Sequence, residues 1–183
     1  MISKINLGLP GCYGLSVDAF NDERGSFVKL FSSELLTKLN LDFRPKETFI
    51  SCSKKNVIRG MHFQSPPYAQ SKLVWCISGT AEDVLLDLRG GQNYGKHVSV
   101  TLSSEGLQGV FMPEGIAHGF SALSENTAML YLVSSGHNPS YDLGIKWDSF
   151  GFDWKIDKPI ISSRDQAHPK LDNLKQLQWN NYL

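Results

Sequence analysis

A chain of 183 residues is long enough for one domain with a substantial core and too short for two ordinary ones. Its 18 Lys and Arg balance 18 Asp and Glu, with no basic block or acidic tail, which argues against nucleic acid or a membrane surface as partner. Three cysteines, Cys12, Cys52 and Cys76, cannot all pair within the chain and form no C-x-x-C, so a reduced, cytoplasmic protein is expected. No apolar run approaches the ~20 residues of a spanning helix, and the first residues, MISKINLGLPGC, have no sustained apolar segment, so neither secretion nor anchoring is expected.

In chain order, Ile2 to Val17 is Gly-rich with a turn at Pro10-Gly11 and reads as short or edge strands. Asn21 to Gly25 is turn chemistry ahead of a strand predicted over Ser26 to Phe31. A helix is predicted over Glu34 to Leu39, where Ser32-Ser33 can cap an acidic first turn and a Leu-rich face. From there the chain is punctuated and strand-like. The predicted strands are Glu47 to Cys52, Val57 to Phe63, Leu73 to Ile77, Ala81 to Leu88, His97 to Leu102, Gly109 to Met112, Gly119 to Ala122 and Ala128 to Val133. Strands this short, separated by Gly, Pro, Asn and Ser turns, argue for an all-β sandwich or barrel rather than alternating β and α. No repeat of fixed period is visible. Pro159 to Pro169 is polar and irregular, and Leu171 to Trp179 carries apolar residues at 171, 174 and 177, a short helical spacing that would cap the barrel. The expectation is one domain over 1–183 with a helical tail over 159–183.

The stretch RGMHFQSPPYAQSKLVWCISGTAEDVLLDLR, Arg59 to Arg89, concentrates candidate chemistry. Pro66-Pro67 forces an extended loop that folds the chain back between His62 and Lys72. Leu73 to Ile77, Gly79-Thr80 and Ala81 to Leu88 have the signature of a β-hairpin, so His62 and Lys72 are expected on neighbouring strands, projecting into one space beside Arg59. An imidazole and an ammonium converging there suit an anionic ligand and proton transfer. Taken singly, each has a bland reading. A lone strand His is usually a hydrogen-bonded core residue, a lone Lys is solvated, Tyr131 is a core aromatic and Asp165 a surface turn residue.

Several strings in register change that balance. RGMHFQ, Pro-Pro, Q-x-K and DLR, with D-x-RG-x-F at Asp22 to Phe27, P-x-G-x-AHGF at Pro113 to Phe120, Asn138-Pro139, GIKW at Gly144 to Trp147, Trp154 and SSRDQAHPKL at Ser162 to Leu171, resemble the dTDP-4-dehydrorhamnose 3,5-epimerase family. The resemblance covers Phe20 to Leu171. It implies a cupin-type double-stranded β-helix (jelly roll) with short flanking helices, and an isomerase without cofactor or metal. Its substrate would be a nucleotide-linked 4-keto-6-deoxyhexose, as in rhamnose and polysaccharide biosynthesis. A homodimer in which an amino-terminal strand crosses to the partner is implied as well.

In such a sugar the protons on C3 and C5 are both α to the C4 ketone, so a base, an enolate-stabilising cation and an acid on the opposite face suffice for epimerisation. The resemblance assigns His62 as base, with Asp165 fixing its tautomer. It gives Lys72 the enolate oxygen and Tyr131 the returning proton. Arg59 and Arg24 become the pyrophosphate and nucleotide contacts, because guanidinium forks match phosphate oxygens, and His118 and Arg164 line the site. Arg164 stands where the family usually has Lys.

The remaining departures cluster at the nucleoside end. Lys29 replaces a usual Glu, Glu47 and Phe49 fall where Gln-x-Asn reads thymine, and His137, with Gly136, falls where an aromatic stacks on the base; Asp142 keeps a usual acidic residue. Unpaired buried polar groups cost ~1–3 kcal/mol, so changed base-reading groups leave dTDP, CDP and GDP all open, and inversion at C3, C5 or both open too. Two other classes compete with this one. A metal-dependent cupin usually shows H-x-H, whereas Gln64 lies two residues after His62 and only His62 and His118 remain as a pair. A non-catalytic sugar-nucleotide binding module would not need His62, Lys72, Tyr131 and Asp165 together. A 3,4-keto-isomerase is the nearest chemical neighbour, separable by its product.

Overall fold

The computed structural model describes residues 2–174. The strands are β1 (Ile2–Asn6), β2 (Tyr13–Val17), β3 (Ala19–Asp22), β4 (Gly25–Val28), β5 (Glu47–Ser53), β6 (Ile58–Gln64) and β7 (Lys72–Ser78), followed by β8 (Thr80–Asp87), β9 (His97–Ser103), β10 (Gln108–Met112), β11 (Ile116–Ala122), β12 (Thr127–Val133) and β13 (Asp142–Gly144). Helix α1 (Ser33–Lys38) precedes β5, and α2 (Ser163–Gln166) follows β13. Among the described residues two antiparallel sheets form, one in the order β1-β2-β10-β7-β12-β5 and the other β13-β6-β11-β8-β9, with β3-β4 as a separate ribbon. This is the predicted all-β jelly roll with short helices.

The alternation of side chains explains the layering, since successive residues of a strand face opposite ways. On β7, Val74 and Cys76 enter the cluster between the sheets, while Leu73 and Trp75 face outward. Outside β7 they meet Leu36, Leu41 and Phe43 from α1 and the loop after it. On β8, Leu85 points inward and Val84 and Leu86 point outward, under Ile145, Phe150, Trp154 and Leu171. Both sheets are therefore covered on both faces, and each large side chain fully buried this way contributes roughly 1.5–3 kcal/mol.

The expected hairpin after Lys72 is corrected by this topology. β7 pairs with β10 and β12, and β8 pairs with β9 and β11, so Gly79 marks a corner where the chain changes sheet. Two apolar runs about a Gly turn have one pattern whether the strands pair locally or part. Here each strand needs apolar cover on both faces and finds its partners far along the chain.

Other boundaries moved less. Ser32 caps α1 through its side chain, starting the helix one residue early. The strand predicted to reach Phe31 stops at Val28, and β11 starts at Ile116 rather than Gly119. In the expected tail, residues 171–173 form one 3-10 turn after α2, and the rest of the predicted helical stretch, 175–183, lies outside the described residues.

Candidate functional site

The same two-residue alternation aims the candidate residues. On β6, Met61 and Phe63 join the outer cluster, so His62 looks into the space between the sheets. On β11, Ile116 and Phe120 point inward, and His118 between them does likewise. Lys72 shares its face with Val74 on β7, and Tyr131 shares its face with Met129 on β12. His62 and His118 are thus cross-strand neighbours in one sheet, and Lys72 and Tyr131 stand on the facing sheet. A pocket of about 380 Å³ opens between them, lined also by Glu47, Phe49, Arg59, His137, Asp142 and Arg164.

Arg59 needed a further device. Three residues from His62, strict alternation would turn it away from the pocket. Between β6 and β11 the register slips, so that His62 faces His118 but Arg59 faces Phe120, the signature of a β-bulge. Gly60 takes φ +128° there, and a Cβ on it would sit 2.5 Å from Gly119 Cα, so only glycine fits. The guanidinium donates to Ser53 Oγ (2.9 Å) and to the Cys52 carbonyl (3.0 Å), and pairs with no carboxylate among the described residues.

His62 Nε2 lies 2.8 Å from Asp165 Oδ1, and the Gly60 amide donates to Asp165 Oδ2 at 3.1 Å. Asp165 is placed by α2, whose capping Ser162 Oγ accepts its backbone N–H. Burial opposes ionisation of Asp165, but the hydrogen bond and charge of His62, with help from the Gly60 amide and His168, outweigh it and hold the carboxyl below the usual range. An ionised acceptor fixes the Nε2–H tautomer and leaves Nδ1 as the basic nitrogen.

Lys72 is 8% exposed, and its Nζ donates to the His62 carbonyl at 3.1 Å. Burial pushes its ammonium down from the usual 10.5 to about 8, with Asp142 and Asp83 pulling the other way. Burial likewise raises the Tyr131 phenol, so it stays protonated across the neutral range. Its ring stacks on Phe49, with centroids 4.7 Å apart.

At the other end of the pocket Glu47 Oε2 accepts the His137 amide at 2.9 Å. Asp142 Oδ2 accepts from Arg164 at 2.7 Å, and His137 Nδ1 lies 3.9 Å from it. Arg24 and Lys29 do not join this pocket. Arg24 is exposed at the tip of the β3-β4 ribbon and paired with Asp22, and Lys29 lines a separate hollow with Phe20 and Phe27.

Several residues escaped the sequence reading. Asp83 is fully buried, and its Oδ2 lies 2.7 Å from His118 Nε2, making a second imidazole–carboxylate pair. The available signal was a charge between Ala81 and Leu85 on the inward face of its strand. Gln64 ties two loops to the pocket, donating to the Tyr68 and Gly136 carbonyls and accepting the Asn138 amide. His168 sits edge-on to His62 and places Nε2 3.6 Å from Asp165 Oδ1; nothing but its i+3 spacing from Asp165 hinted at that. Donor atoms of His62, Asp165 and His168 all lie within 4.8 Å of one another, the one such group among the described residues.

Comparison with known proteins gives a consistent answer. A family model described as dTDP-4-dehydrorhamnose 3,5-epimerase matches residues 6–173. An enzyme so described from Salmonella typhimurium is 37% identical over 180 residues, covering 94% of this chain and 97% of the relative. The crystal structure of a dTDP-6-deoxy-D-glucose-3,5-epimerase from Legionella pneumophila in complex with dTDP-4-keto-L-rhamnose matches with a TM-score of 0.91 at 29% identity, over 96% of this chain and 95% of that one. A dTDP-4-dehydrorhamnose 3,5-epimerase from Bacillus anthracis with TDP and PPi bound matches at 0.89 and 28%, over 93% and 99%.

Proposed function

The chain belongs to the dTDP-4-dehydrorhamnose 3,5-epimerase family, and on that premise we propose that its pocket inverts C3 and C5 of a dTDP-linked 4-keto-6-deoxyhexose. It is a nucleotide-sugar epimerase, an isomerase. The observation that carries the reading of the site is the His62–Asp165 pair on one sheet opposite Lys72 and Tyr131 on the other. A sugar ring between the sheets meets a base on one face and an acid on the other.

His62 Nδ1 removes the proton α to the C4 ketone, and Asp165 stabilises the imidazolium that forms. Positioned proton transfer of this kind is worth roughly 10²–10⁴-fold. Lys72 faces the developing enolate oxygen from a buried position, where a fixed cation acts most strongly. Tyr131 delivers a proton to the opposite face of the carbon, completing the inversion; solvent reprotonates the phenolate and takes the proton from the His62 imidazolium, which restores both groups. Arg59, free of carboxylate partners among the described residues, suits a phosphate. Glu47, Phe49, His137, Asp142 and Arg164 line the rest of the substrate channel. The nucleotide assignment rests on the relatives, whose structures hold TDP and dTDP-4-keto-L-rhamnose.

Arg24 and Lys29 suit a partner subunit's pocket rather than their own. The ribbon that carries Arg24 exposes Phe20 and Phe27, and Ile5, Phe49 and Ile50 are exposed on or near sheet edges, which supports a homodimer. Three unpaired cysteines support a reducing, cytoplasmic setting, and among the described residues no helix is long and apolar enough to cross a membrane.

Incubation with dTDP-4-keto-6-deoxyglucose in deuterated water tests the reading. Deuterium is expected at C3 and C5 with inverted configuration, and His62→Ala should abolish exchange at both. Exchange that persists without His62, or a dTDP sugar that acquires no deuterium while a CDP or GDP sugar does, would overturn the base or the nucleotide assignment respectively.

A further inference from the structure

The mechanism uses His62 and Asp165 and leaves His168 without a task. His168 follows α2 three residues after Asp165, and its Nε2 is buried with no hydrogen-bond partner among the described residues. The nitrogen is nonetheless aimed at the dyad, 3.6 Å from the same Asp165 Oδ1 that lies 2.8 Å from His62 Nε2. Room for the ring is made by Gly144, which pairs with His62 across β13 and β6; any Cβ at 144 would collide with the His168 imidazole. A buried ring nitrogen facing two other ligating atoms, with space kept for it by a glycine, has the layout of an open three-ligand metal site.

We propose that His62 Nε2, Asp165 Oδ1 and His168 Nε2 form a binding site for a divalent transition ion of the zinc class, and that occupancy switches the base off. Bonds of about 2.0–2.1 Å in a tetrahedral site put ligand atoms about 3.3 Å apart. The separations from Asp165 Oδ1, 2.8 Å to His62 and 3.6 Å to His168, bracket that value, and all three ligand atoms lie within 4.8 Å of one another. Two imidazoles and one carboxylate suit zinc or cobalt rather than magnesium or calcium, which take oxygen donors. Of the three side chains His62 is the most exposed, at 30%.

Inhibition follows from tautomer chemistry. In the resting dyad the proton sits on Nε2 and the lone pair on Nδ1 faces substrate. An ion bound at Nε2 displaces that proton to Nδ1 of the same ring, so the imidazole stays neutral overall but presents N–H where the reaction needs a base. The site shares His62 and Asp165 with the proposed chemistry and inhibits it, and its consequence for activity rests on His62 being the base.

Binding is tested on untagged, chelator-treated protein by titration with Co²⁺ alone, reading the visible absorption of a tetrahedral ion, and with Zn²⁺ by calorimetry. One equivalent is expected to bind saturably, and His168→Ala should weaken it by at least the ~10–100-fold that loss of even an outer partner costs. If H168A fails to fold, H168Q, which keeps bulk but offers no imidazole nitrogen, makes the same comparison, and His97→Ala serves as the control expected to bind normally. Zn²⁺ should also inhibit turnover in the wild type and do so at least about tenfold less potently in the His168 variant. Absence of a stoichiometric Co²⁺ site, or a site unchanged by loss of His168, overturns the proposal and leaves the epimerase reading intact. Tight Co²⁺ binding without inhibition would instead keep the site and overturn the switch.

Discussion

Replacing Asp165 with Asn tests the dyad with little change in shape. The carboxylate makes two contacts with fixed directions: Oδ2 accepts the Gly60 backbone N–H, and Oδ1 lies against His62 Nε2. The Gly60 amide can only donate, so the Asn carbonyl must take that position, since the flipped amide would leave a buried N–H unmet at about 1–3 kcal/mol. The Asn NH₂ then faces His62 and forces Nε2 to accept. The ring proton moves to Nδ1, and the lone pair required for abstraction points the wrong way. A wrong-tautomer substitution of this kind in the Ser-His-Asp triad costs about 10⁴-fold in kcat. A loss of about 10³–10⁴ is therefore expected for D165N, about 4–5.5 kcal/mol of transition-state stabilisation, with KM within about threefold because Asp165 touches no substrate. Solvent deuterium exchange into the keto sugar gives kcat and KM, and circular dichroism confirms the fold. A loss below about tenfold would mean that Asp165 does not set the tautomer.

Lys72 couples stability to activity in opposite directions. Its ammonium falls from 10.5 to about 8 on burial, so between those values the unfolded chain binds more protons and stability rises with pH. At about 1.4 kcal/mol per unit, K72M should stabilise the protein by up to about 3 kcal/mol at neutral pH while lowering kcat at least about 100-fold; an unchanged or lower melting temperature would argue that the charge is not under strain. For the same reason kcat/KM should fall above about pH 8 in the wild type, and K72R should move that limb upward. Y131F should retain deuterium wash-in with His62 as base yet lose inverted product, and normal inversion by this variant would remove Tyr131 as the acid. G60A, with its Cβ pressed on Gly119 and the His118 carbonyl and its φ at +128°, should lose about 2–4 kcal/mol in denaturant melts, and near-wild-type stability would mean that the bulge relaxes without a glycine.

How much was legible from residues alone differs by position. The all-β class and most strand positions were readable, because alternation and turn residues are local, whereas Tyr131 and Asp165 stood out only through the family resemblance, since on local pattern they read as a core aromatic and a surface turn residue. Partner strands were not: the apparent β7-β8 hairpin divides between two sheets, since pairing depends on residues such as Gly109 to Met112 and Ala128 to Val133 that lie far along the chain. Arg59 lines the pocket, yet the alternation that places His62 there would have turned Arg59 out of it without the bulge. Asp83 and Gln64 went unassigned, because their partners come from other strands and loops.

The sequence by itself determined which side chains face inward, because a strand alternates whatever it pairs with, and hence that a base, a cation and a phenol were each available on a buried face. Only the tertiary structure decided that His62 meets Lys72 and Tyr131 across two facing sheets rather than on neighbouring strands. That required two sheets to close over each other, a one-residue slip to swing Arg59 around, and a helical turn from a hundred residues downstream to set Asp165, with His168 beside it, behind the imidazole. Contacts between residues so far apart depend on how the whole chain packs, and no local pattern encodes them.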